Sequence, residues 1–255
     1  MLEQDGGGID GPIHSLTRGA GRIAYRHSPG AGPTIVFLGG FRSDMTGTKA
    51  RALHAWAAEA GRSFLRFDYQ GHGASSGDWD ACTIGLWLDD ALAVIDGATA
   101  GKLVLVGSSM GGWIATLAAM ARPDRIAGLV TIAAAPDFTE RLIWDRLDPA
   151  ARARMLADGF LVQPSAYDPA GYRITRTLVE EGRRHLILGG TVPVTAPVRL
   201  LHGMRDTDVP HELSLELAGA ITWDDVRITL VKDGDHRLSR DPDIALLLTT
   251  VAELR

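Results

Sequence analysis

The stretch Gly107-Ser108-Ser109-Met110-Gly111 constrains this chain more than any other. It follows the apolar run Leu103-Val104-Leu105-Val106 and leads into Gly112-Trp113-Ile114-Ala115-Thr116-Leu117. A short apolar run bounded by glycine reads as a buried strand, and the segment beyond it reads as a helix. The pentapeptide must therefore be a sharp turn between the two. Gly-x-Ser-x-Gly in that setting is a nucleophile elbow. Its glycines remove side chains that would strike the neighbouring backbone, and the serine hydroxyl is pushed out over the end of a sheet beside a helix N-terminus. The same pattern recurs at Gly73-Ala74-Ser75-Ser76-Gly77, but this copy follows Tyr69-Gln70-Gly71-His72 and leads into Asp78-Trp79-Asp80. No strand feeds it and no helix starts at its second glycine, so Ser75 reads as a loop residue and Ser109 as the nucleophile.

Around the elbow, short apolar runs alternate with helical patterns, the signature of an α/β fold with a mostly parallel central sheet flanked by helices. Strands are predicted at Arg22–His27, Thr34–Leu38, Ser63–Asp68, Leu103–Val106, Gly128–Ile132, Val198–His202 and Val226–Val231. Helices are predicted at Thr48–Ala60, Ile84–Asp96, Met110–Ala121, Glu212–Ala218 and Pro242–Leu254. The rhythm fails between Pro136 and Pro197. No strand is predicted there. Asp148-Pro149 starts one helix, over Ala150–Ala157, and Ile174–His185 reads as a second, separated by a loop around Gln163–Pro169. About sixty residues are too many for a plain connection. The expected organisation is a core of residues 1–135 and 197–255 carrying a small inserted helical cap, 136–196.

A serine hydroxyl needs a base to become a nucleophile. In an elbow fold the partners follow in the order acid, then histidine. After the strand at Val198 comes His202-Gly203-Met204-Arg205-Asp206-Thr207-Asp208. Asp206 is preferred as the acid over Asp208 because it lies closer to the strand end, where catalytic residues collect in open α/β sheets. The last strand runs into Lys232-Asp233-Gly234-Asp235-His236, which places His236 as the base. His202 precedes Asp206 and is excluded as base by that order. It reads as structural, and so does His72, which is expected to pack under the elbow. The backbone N–H groups of Met110 and Phe41 are expected to form an oxyanion hole, with Gly40 as the alternative to Phe41. This set points to carboxylic ester or thioester hydrolysis through an acyl-enzyme. Perhydrolase or lyase chemistry on the same fold and a non-catalytic small-molecule receptor are the alternatives. Arg183-Arg184-His185 reads as a solvated helix face, and contact with an anionic substrate is its alternative.

The chain has 255 residues, 45% hydrophobic and 22% charged, enough for a sizeable core. A net charge of −5 with no dense basic run argues against nucleic acid as a partner. The single cysteine, Cys82, excludes an internal disulfide and a cysteine-based zinc cluster, and it reads as a small buried residue. No metal and no cofactor is called for by the chemistry. No apolar run is long enough to span a bilayer. The start, Met1–Asp10, is acidic and Gly-rich, unlike a secretory signal or an Arg-rich transit peptide. A floppy first dozen residues and a cytoplasmic protein are therefore expected.

Several segments extend the pattern: Gly47-Thr48-Lys49-Ala50, Arg66-Phe67-Asp68-Tyr69, Leu105 to Trp113, Gln163-Pro164-Ser165, Arg199-Leu200-Leu201-His202-Gly203-Met204 and Asp235-His236-Arg237. With these the chain resembles the α/β-hydrolase superfamily, in the branch of acyl-glucuronide esterases and palmitoyl-protein thioesterases. The resemblance implies the same triad, Ser109, Asp206 and His236, and a small acyl ester or thioester, or an S-acylated protein, as substrate.

Overall fold

Alternation along the central strands decides the architecture. Leu103 and Leu105 face one side and Val104 and Val106 the other, and all four are buried. A strand apolar on both faces must be covered on both faces. The computed structural model describes residues 11–164 and 169–254, so the expectation for Met1–Asp10 lies outside the described residues.

In chain order the elements are β1 (His14–Arg18), β2 (Gly21–Ser28), β3 (Ala31–Leu38), α1 (Thr48–Glu59), β4 (Arg62–Phe67), α2 (Ile84–Ala98), β5 (Leu103–Ser108), α3 (Met110–Ala121), β6 (Ile126–Ile132), α4 (Pro149–Asp158), β7 (Phe160–Gln163), β8 (Tyr172–Thr175), α5 (Arg176–Gly182), β9 (Val198–Gly203), α6 (Glu212–Ala220), β10 (Val226–Val231) and α7 (Asp241–Ala252). Eight strands form one sheet in the order β1-β2-β4-β3-β5-β6-β9-β10. The pairs from β4 through β10 are parallel, and β1 and β2 are antiparallel additions at one edge. Helices α2, α3 and α6 cover one face, around Trp87, Trp113 and Leu217. Helices α1 and α7 cover the other, through Leu53, Ala57, Leu247 and Val251. Each fully buried Leu, Ile or Val in these layers contributes roughly 1.5–3 kcal/mol. The fold is the expected mostly parallel sheet flanked by helices. β5 lies centrally in it, with its C-terminal end between those of β3 and β6.

Two expectations are corrected. The edge strand β1 was not anticipated, because its polar HSLTR sequence carries little apolar signal. The segment between β6 and β9 also contains strands: β7 and β8 form an antiparallel hairpin pairing only with each other, Phe160 with Thr175 through Gln163 with Tyr172. Ile174 and Thr175, expected to open a helix, close this hairpin, and Thr175 caps α5 by accepting the Leu178 N–H. The helix after Asp148 forms as expected, with the Asp148 carboxylate accepting the Ala151 N–H and Pro149 in the first turn. At the base of this excursion, the buried Asp137 accepts the N–H groups of Ile187 and Leu188 at 2.8 and 2.9 Å, tying its start to its end. Of the Gln163–Pro169 loop, residues 165–168 lie outside the described residues.

Candidate active site

The elbow is built from backbone and can hardly be built otherwise. Ser109 adopts φ 55° and ψ −121°, a conformation that costs a side-chain-bearing residue roughly 1–3 kcal/mol. Three hydrogen bonds hold it there: the Ser109 N–H donates to Ile132 O at 2.9 Å, and its carbonyl accepts from Gly112 N at 2.9 Å and Ala135 N at 3.1 Å. A Cβ on Gly107 would land on the Gly111 carbonyl, and one on Gly111 would land on the carbonyls of Leu38 and Gly39. The three backbones therefore converge only because both positions lack side chains.

Three side chains from separate loops meet above this turn. The His236 Nδ1–H donates to Asp206 Oδ2 at 2.7 Å, and the Ser109 hydroxyl lies 3.1 Å from His236 Nε2. The Asp206 side chain is fully buried, whereas that of His236 is 17% exposed and faces the cavity. The second Asp206 oxygen accepts the N–H groups of Asp208 at 2.9 Å and Val209 at 2.8 Å. Burial alone would raise the Asp206 carboxyl. Hydrogen bonds from His202 and His236, then the His236 charge and the Val209 N–H, outweigh burial and hold it well below the usual carboxylate range. Asp208, the competitor for the acid role, is exposed at the cavity rim. Asp206, Asp208 and His236 also have ligand-type atoms within 4.8 Å of one another, but both Asp206 oxygens are already filled by N–H donors.

The loop after β3 lies against the serine. A methyl group on Gly40 would sit 3.3 Å from Ser109 Cβ. Next to it, the Phe41 ring packs edge-on against Trp79, Trp87, Phe138 and Tyr172, with centroids 4.8–5.9 Å away. Among the described residues, the N–H groups of Phe41 and Met110 donate to no protein acceptor. His72 props this loop from behind. Its Nε2 accepts the Arg42 N–H at 3.2 Å, and its Nδ1–H donates to Gln70 O. Burial pushes His72 down to about 4, so it stays a neutral acceptor. Arg42 has φ 61° and lays its guanidinium 4.0 Å from the Trp79 ring centroid. The sequence signalled His72 as structural but carried no sign of its grip on Arg42.

The remaining candidates fall away from the site. The Ser75 hydroxyl donates to Asp68 O at 2.6 Å and accepts the Ala24 N–H at 2.8 Å, which makes it a loop tie. Arg183 pairs with Glu140 at 2.7 Å, His185 with Glu181 at 2.7 Å, and neither lines the cavity. Cys82 is buried and pushed up to about 11 by desolvation, an inert thiol.

Residues 32–161 match a family model described as "Serine aminopeptidase, S33". The chain is 40% identical over 233 residues to the mitochondrial palmitoyl-protein thioesterase ABHD10 of Mus musculus, covering 91% of this chain and 78% of that protein. The chain belongs to the ABHD10 family of α/β hydrolases. The structure of mouse ABHD10 superposes with a TM-score of 0.89 at 38% identity, covering 95% of this chain and 97% of that one. A putative hydrolase from Agrobacterium vitis S4 superposes at 0.91 and 42% identity, covering 95% and 98%. Like ABHD10, the chain is a serine hydrolase of ester and thioester type. The ABHD10 relatives from mouse, cattle and human are mitochondrial, which overturns the cytoplasmic expectation. That expectation rested on the residue types of Met1–Asp10, whereas an organelle address is read by a receptor and leaves no mark on the folded domain.

Proposed function

We propose that this protein cleaves long-chain acyl esters or thioesters, including S-acylated protein, through an acyl-enzyme on Ser109. The observation that carries this is the unbroken hydrogen-bond chain Ser109–His236–Asp206 on the floor of a cavity of about 770 Å³. The substrate carbonyl carbon sits over Ser109 Oγ. His236 Nε2 takes the hydroxyl proton as the Oγ–C bond forms, and Asp206 fixes the tautomer and stabilises the imidazolium. The N–H groups of Met110 and Phe41 receive the developing oxyanion. Collapse breaks the bond to the leaving oxygen or sulfur, which His236 protonates. Water, deprotonated by the same nitrogen, then frees the acid and the serine.

The cavity has two characters. Phe41, Phe138, Leu142, Ile143, Tyr172 and Ile174 make one wall apolar, the side suited to an acyl chain. Thr48, Lys49, Arg237 and Ser239 make another part of the lining polar and cationic, suited to a leaving group. Most of the apolar wall comes from residues 136–196, which we read as a cap over the core. The names of the ABHD10 relatives support a palmitoylated protein as substrate.

Ser109→Ala tests the reading: hydrolysis of a short p-nitrophenyl ester should fall by about 10⁴-fold or more and fluorophosphonate labelling should disappear. Labelling and turnover that persist in this variant would overturn it. Acyl series of matched oxygen esters and thioesters, from two to sixteen carbons, read the substrate side. Activity should rise with chain length until the apolar wall is filled.

A further inference from the structure

Behind the acid lies a pair that the mechanism above does not use. His202 closes β9 and is wholly buried, as is Ser214 in α6. His202 Nε2 faces two oxygens, Asp206 Oδ2 at 3.1 Å and Val209 O at 3.0 Å. Neither a carboxylate nor a carbonyl can donate, so this nitrogen carries the proton and shares it between them. Nδ1 is then a bare lone pair, and the Ser214 hydroxyl, 2.7 Å away, donates into it. The two acceptors thus fix the tautomer, and the Ser214 hydroxyl completes it by donating to the bare nitrogen.

We propose that His202, held by Ser214, is a positioning residue for Asp206, completing a hydrogen-bonded row Ser214–His202–Asp206–His236–Ser109. This rests on the reading of Asp206 as the acid of the triad. The argument is one of satisfaction. A buried carboxylate orients sharply only when its lone pairs are filled. Asp206 Oδ1 has the N–H groups of Asp208 and Val209, while Oδ2 has His236, the group that must gain and lose charge in each turnover. His202 provides the second donor to Oδ2 and is unaffected by that cycle. It also braces the loop: Val209 gives its N–H to Asp206 and its carbonyl to His202, so the acid and the turn that carries it are held from both sides. Without His202, Oδ2 loses its second donor, and the carboxylate is held less firmly in line with the His236 N–H.

The test is a set of variants assayed for kcat and KM on a short p-nitrophenyl ester and for the rate of fluorophosphonate labelling, with thermal unfolding as the check on folding. His202→Leu should lower kcat by roughly 10- to 100-fold, the range of supports one bond removed from the chemistry, with KM within about twofold. His202→Gln, whose amide N–H can occupy the Nε2 position, should recover most of the loss. Ser214→Ala should lower kcat by about three- to tenfold with KM unmoved, by the same reasoning. In an Asp206→Asn background His202→Leu should cost almost nothing further, because it acts through the carboxylate. A kcat for His202→Leu within about twofold of the parent, an equal cost in both backgrounds, or a His202→Gln no better than His202→Leu overturns the proposal. Should His202→Leu not fold, Ser214→Ala decides: a kcat within about twofold of the parent overturns the proposal. An Asp206→Asn enzyme with full activity would instead overturn the triad reading itself.

Discussion

The catalytic floor and the excursion above it are held by different means. On the floor, backbone meets backbone: Ser109 is pinned by three main-chain hydrogen bonds, and the elbow glycines leave no space at Leu38 and Gly39. Between β6 and β9, apart from the backbone bridge of Val192 to Ala220 and Thr222, the ties are largely made by side chains. Asp137 clasps Ile187 and Leu188, the Trp79 indole N–H donates to Arg173 O at 2.9 Å, the Trp113 indole N–H donates to His185 O at 3.1 Å, and Arg173 pairs with Asp80 at 2.7 Å. Main-chain fixation tolerates almost no substitution. On the reading proposed above, chemistry belongs to the first region and selectivity to the second.

Breaking the floor should have the largest effect. Gly111→Ala drives a methyl group into two carbonyls that cannot yield, so a loss of at least about 4 kcal/mol is expected. Chemical denaturation, or failure to recover soluble protein, reads it. Native stability in this variant would show the elbow to be more pliable than its geometry allows. Next comes acid. His72 is neutral when folded because burial lowers it to about 4, whereas in the unfolded chain it titrates near 6.5. Between those values the unfolded state binds more protons, so stability should fall as pH drops from about 6.5 to 4, by roughly 2–3 kcal/mol, and level off below. His72→Gln should flatten this part of the stability–pH curve, and an unchanged slope would assign it elsewhere. The smallest effect belongs to the wall. Leu142→Trp should reduce kcat/KM for a sixteen-carbon ester about tenfold and leave an acetyl ester within about twofold. Equal losses on both would mean that the wall reaches the chemistry.

Much of this was readable in one dimension, and the limits are physical. Buried parallel strands announce themselves as apolar runs, which is why β5, β6 and β9 stood out. The hairpin β7–β8 did not, because four-residue strands that pair only with each other need no long apolar run. Chain order pointed to Ser109, Asp206 and His236, and the folded chain brings those three into contact. The same order set His202 aside as a base yet hid its contact with Asp206. That contact depends on how β9, its following turn and α6 meet, and no sequence spacing encodes it. The Arg42–His72 bond is invisible for the same reason: it joins two loops thirty residues apart.

The polar lining also joins distant parts of the chain. The Lys49 ammonium, lowered to about 8 by burial and then by the Arg237 charge, donates to the carbonyl of Arg237, the residue after His236. The two are 188 positions apart. On the triad proposed above, Ser109 leaves the ribosome well before His236, and a chain in which Arg237 has not yet docked on Lys49 would hold its serine without a base.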